Sequence, residues 1–211
     1  MATTGDPDDV RPYASPACFL HELDPAYLGF SLEVTAEPAR PRAARLMPGR
    51  PFPPYAYLPG RFPHPIRDPR GHSYKAEPVF LAAKAGIDPD ALFWGMDLFN
   101  HGYYWEAHEA WEDLWRATPK ATPQRAILHG LILLAAAGVK LREGKLQAAR
   151  RHGERAAGCF RSALSEGVVA EPFQPPLDTL ALLAEQAVRA PKIDGDPAVV
   201  FDFELGSPVS R

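Results

Sequence analysis

Cysteine is scarce in this chain. Two thiols in 211 residues, Cys18 and Cys159, lie far apart and in no paired motif. That excludes a disulfide framework and a zinc knuckle, and fits a reducing cytoplasm. Excess positive charge is also lacking. The net charge is −3, whereas a protein that binds nucleic acid by blanket phosphate neutralisation is strongly basic. Nucleic acid is therefore not an expected partner. The opening stretch MATTGDPDDV is acidic and has no apolar centre, so it does not read as a signal peptide. The longest apolar run, 126–139, is interrupted by His129 and reads as too short for a bilayer. A buried helix is the expectation there, and no membrane.

Proline, by contrast, is abundant and uneven. Ten of the 24 prolines fall between Pro38 and Pro69. Proline fixes φ and lacks a donor, so this stretch is predicted to be extended or turn-like. It also carries Phe52, Tyr55, Tyr57, Leu58, Phe62 and Ile66, too many large apolar groups for a free linker. A wrap along a helical domain that buries some of those rings is expected. Residues 18–34 are mixed, with a weak signal for a short helix or strand.

From Asp88 on, helix signals are dense. Asp88-Pro89 starts a helix that closes at Gly102, and a second runs over 103–117 to Thr118-Pro119. Thr122-Pro123 starts a third that ends at Gly144. A fourth runs to Gly167, and a fifth spans about 176–190. Glycines 102 and 144, with alanines 107 and 149, recur at an offset of 42. This is a helix–glycine–helix hairpin, as in tetratricopeptide units, though their usual period is ~34 residues. The expected fold is all-α: an orthogonal bundle of four to five helices, 88–191, preceded by a Pro-rich, largely non-helical extension, 1–87. A tail, 192–211, follows, and 198–205 suggests a short extended piece.

The densest chemistry is HGYYWEAHEAWEDLW, 101–115, with five aromatics, two histidines and four acids. At 100° per residue, Tyr103, Tyr104, Ala107, Trp111, Leu114 and Trp115 share a core face. His108 lies at its edge. Glu112, Trp105, Arg116 and Glu109 follow, and Glu106 and Asp113 are expected toward solvent. His108 and Glu112 are i, i+4 neighbours at the rim of an aromatic core, with Trp105 the best candidate to line a pocket. Helix 3 carries a stripe of Arg125, His129 and Lys140, and helix 4 is locally basic. An interhelical network is expected, from the acids of helix 2 to Arg125, Lys140, Arg150 or Arg151, with His152 facing the same way. His64, His72 and the Cys18–His21 pair carry little weight.

Three readings compete for His108, Glu109 and Glu112: a structural ion-pair network, a divalent-metal site with His108 and Glu112 as ligands, and an acid/base or small polar ligand site. There is no His-Glu-x-x-His motif.

Residues 98–116 and 127–152 closely resemble the bacterial and archaeal family called domain of unknown function 309. Its pattern falls on Phe99, Asn100, Gly102, Tyr104, Glu106, Ala107, His108, Glu109, Glu112, Trp115 and Arg116, then Gly130, Leu131 and Ile132. The resemblance covers roughly 89–165 and implies an all-helical domain with no assigned activity. His129 stands where the resemblance implies glutamine or lysine. The leading expectation is a cytoplasmic helical protein with a small polar pocket at His108, Glu109 and Glu112. The competing one is a helical-hairpin interaction module. Enzymatic activity, the identity of the small-molecule or protein partner, and a homo-oligomer are left open.

Overall fold

A computed structural model describes residues 43–76, 87–167, 174–189 and 199–206. The expected element at 18–34, with Cys18 and His21, lies outside the described residues. Five helices follow in order: α1 Pro89–Asn100, α2 Tyr104–Ala117, α3 Pro123–Arg142, α4 Leu146–Ser165 and α5 Leu177–Ala187. Among the described residues there is no strand; Val199 is a lone bridge residue.

The helix boundaries come from local chemistry. The Asp88 carboxylate accepts the Asp90 and Ala91 amides at 3.0 and 3.2 Å, and Pro89 gives up no bond at the first helical position. Thr122 Oγ1 accepts the Arg125 amide at 3.4 Å at the start of α3. Gly102 and Gly144 take φ of +83° and +72°, the left-handed turn that lets each helix stop and the next begin.

Packing then follows sequence order: α1 on α2, α2 on α3, α3 on α4, α4 on α5. α3 is the central helix. It is 20 residues long and by length and composition could cross a membrane, so the expectation of a run too short for a bilayer does not hold. Two-thirds of that stretch (67%) is buried against its neighbours, as the core helix of a bundle is.

Residues 43–76 contain no helix and pack on α1 and α2. Phe52 stacks between Trp94 and Tyr103, with centroids at 5.9 and 4.8 Å. Ala56, Tyr57 and Leu58 are buried, whereas Phe62 and Ile66 are exposed. The fastening is polar. Asp97, 0% exposed, accepts the amides of Leu46 and Met47 at 2.7 and 2.9 Å and pairs with Arg45 at 2.9 Å. At the other end of the chain, Val200, Phe201 and Leu205 enter the same core, and Phe201 stacks on Phe99 at 5.0 Å.

Candidate functional site

The outer edge of α2 holds the acids and the imidazole. His108 Nδ1 lies 3.2 Å from the carbonyl oxygen of Ile132 on α3. A carbonyl can only accept, so this bond requires the proton on Nδ1 and leaves the Nε2 lone pair free in the neutral ring. Nε2 faces Glu112 Oε2 at 3.9 Å. Burial pushes the His108 pKa below its usual value, with Glu112 opposing, and so favours the neutral ring. Glu112 is itself paired with Arg116 at 2.8 Å, and Arg116 also meets Asp113 at 3.3 Å.

Glu109 has no such partner. It makes no hydrogen bond or ion pair among the described residues, and its pKa is pushed up to about 7, first by burial, then by the charges of Glu112 and Asp113. One donor atom from each of His108, Glu109 and Glu112 lies within 4.8 Å of the others. This group could hold a metal ion. It brings together a free imidazole nitrogen and a carboxyl that half-retains its proton near neutrality.

Glu106 is the main correction. The helical wheel puts it toward solvent, but it is 6% exposed. The 43–76 segment covers it: Oε1 accepts the Tyr57 amide at 2.8 Å and lies 3.1 Å from His72 Nε2, while Oε2 is buried with no partner. His72 and His64, set aside in the sequence, are therefore both next to α2. His64 packs at 5.5 Å on Trp105, which also meets Tyr57 at 5.3 Å. Trp105 is held by the wrap.

The expected interhelical network does not form. Lys140 pairs with Glu143 on its own helix end, Arg150 with Glu154, and Arg151 is exposed without an ion pair among the described residues. Arg125 donates to the carbonyls of Trp115 and Thr118 at 2.5 and 2.6 Å. Lys140 and Arg150 find acids within one turn of their own helix, which costs less side-chain order than reaching another. Arg125 does join α3 to α2, but through the carbonyls at the end of α2 and not its acids.

His129 instead lies 3.7 Å from Cys159 Sγ. His152 is half-buried with an unpartnered Nδ1, and burial and then the charge of Arg155 push its pKa down, but it stands outside the three-residue group.

Asn100 and Tyr104 act as anchors. Asn100 forms two 2.8 Å bonds with the Leu205 backbone, and the Tyr104 hydroxyl accepts the Val200 amide at 2.9 Å. The sequence reading missed Asp97, although a lone acid inside the apolar run LFWGMDLFN was a visible signal.

Residues 92–152, from α1 into α4, match a family model described as Domain of unknown function (DUF309), well under half of the chain and including the whole His108–Glu109–Glu112 group. Comparison with curated proteins and with solved structures gives no match.

Proposed function

We propose that this DUF309-like bundle is a divalent-cation-binding module, with His108 Nε2, Glu109 and Glu112 as its protein ligands. The observation that carries the reading is the unpartnered Glu109 beside an imidazole whose tautomer is already fixed. A half-buried carboxyl with no ion pair of its own keeps a raised pKa, only partly opposed by the charge of Arg116; a divalent cation would supply the missing charge. The Ile132 carbonyl on His108 Nδ1–H is the kind of outer contact that orients a ligating histidine. One imidazole and two carboxylates suit zinc or manganese, and three protein ligands leave positions for water or an anionic substrate. Arg116, which is exposed, is free to release Glu112 when a cation arrives.

The test is calorimetry and thermal unfolding with Zn²⁺ and Mn²⁺ after chelator treatment. A Tm that rises with ion concentration, and is lost in both His108→Ala and Glu112→Gln, is the expected result. No heat and no shift with either ion, in protein that also purifies metal-free, would sink the reading.

A second reading, a helical-hairpin interaction module, draws on a separate observation. Asp97, Asn100 and Glu106 all hold backbone amides of segments flanking the hairpin. On this reading the polar side chains of α1 and α2 recognise extended peptide, and this chain supplies that peptide itself.

A further inference from the structure

A groove of about 740 Å³ opens between the α2–α3 turn and the later part of α4. That size is within the ~300–1,000 Å³ usual for small-molecule sites. His108, Glu109 and Glu112 are not among its lining residues; Trp115, Arg125, His129, Arg155, Gly158 and Cys159 are.

Its charge is positive and largely uncompensated. The Arg125 guanidinium lies 3.9 Å over the Trp115 ring, and its hydrogen bonds go to neutral carbonyls. Arg155 makes no hydrogen bond or ion pair among the described residues, and its charge is felt by His129 and Cys159. The lining acid, Glu166, is exposed and pairs with neither arginine.

The groove also contains a glycine that packing does not require. Gly130 and Gly138 are hemmed in by the rings of Phe160 and Tyr104, and Gly153 by the backbone at Ala184. A side chain at Gly158 would meet nothing within 4 Å. Glycine weakens a helix interior, and here no close neighbour accounts for it. Gly158 is exposed, and what it leaves open is the rim of the groove.

We infer that this groove binds a small aromatic anion, with the ring on the outer face of the Arg125 guanidinium, which already covers Trp115, and the acid group on Arg155. A flat indole with a guanidinium held across it offers both stacking and charge, and Arg suits the planar, two-pronged geometry of carboxylate and phosphate.

The probe is phenyl phosphate, with inorganic phosphate and phenol as its two halves. Binding is followed by the Trp115 indole N–H resonance, in chelator so that the outcome does not depend on the cation site. Phenyl phosphate should bind at least about tenfold tighter than either half, and Arg155→Ala should weaken it by about tenfold. Gly158→Leu should abolish binding while leaving Tm unchanged or higher, because it fills open space and removes a helix-weakening residue. Phenyl phosphate binding no better than phosphate, an unmoved Trp115 resonance, or wild-type affinity in both variants would overturn the assignment.

Discussion

Glu106 and Glu109 sit one turn apart on the same helix and share a side chain, yet their situations are opposite. Glu106 is buried and takes the Tyr57 amide and the His72 ring. Glu109 is half-buried and takes nothing, and its carboxyl is held at about 7. Part of the difference lies in α2, where the charges of Glu112 and Asp113 bear on Glu109, but the larger part does not. It lies in residues 55–72, which arrive from ~35–50 positions upstream and cover one flank of the helix but not the other. The covered acid fastens the wrap to the bundle. The uncovered one is the group with unused binding capacity.

The comparison can be broken most forcefully at Glu106. Glu106→Ala removes a buried acceptor and strands the Tyr57 amide and the His72 ring. It should cost about 3 kcal/mol, read as a lower urea midpoint. A loss under about 0.5 kcal/mol would mean that the wrap does not depend on this contact.

Glu109 should behave in the opposite sense. Its folded pKa is raised above the ordinary 4.5 to about 7, so between those values the folded chain keeps a proton that the unfolded chain has released. The stability from this group is full below about pH 4.5 and is lost as pH rises through 7. Glu109→Gln, in metal-free protein, should therefore gain on wild type between pH 5 and 8 by about 1 kcal/mol, a figure discounted for the screening of a partly exposed carboxyl. The His108 titration runs in the other direction but is common to both proteins and cancels to first order. An identical pH–stability profile in the two would remove the premise of an uncompensated charge.

Glu112 is the mildest case. It is partly exposed and paired within its own helix to Arg116. Glu112→Ala should change stability by only about 0.5 kcal/mol, as solvent-facing i, i+4 pairs do, while abolishing any cation-induced shift. A loss of 2 kcal/mol or more, at about the scale expected of a buried partner, would place it with Glu106 as a structural acid.

Much of the frame was readable along the chain. Asp88-Pro89 and Thr122-Pro123 start helices, and Gly102 and Gly144 separate them. The 3.6-residue period also put His108 beside Glu112 at the edge of the aromatic face. The wheel failed at Glu106 because it ranks positions against the helical core alone and cannot register a cover that is not helical. It failed for Arg125 and Lys140 because charge arithmetic between helices ignores the open carbonyls at the end of α2, which take Arg125, and the acid one turn away that takes Lys140.

Sequence by itself settled where α1 and α3 begin and where the turns after α1 and α3 fall, since caps, prolines and left-handed glycines act over four residues or fewer. α5, expected over about 176–190 and without a glycine stop, ends earlier, at Ala187. Sequence also settled which α2 side chains lie next to one another. Only the tertiary structure decided which of those side chains meet water, which meet a backbone amide, and which keep a lone pair to offer. Burial of these side chains comes from segments far away in the chain, and periodicity within one helix carries no record of them.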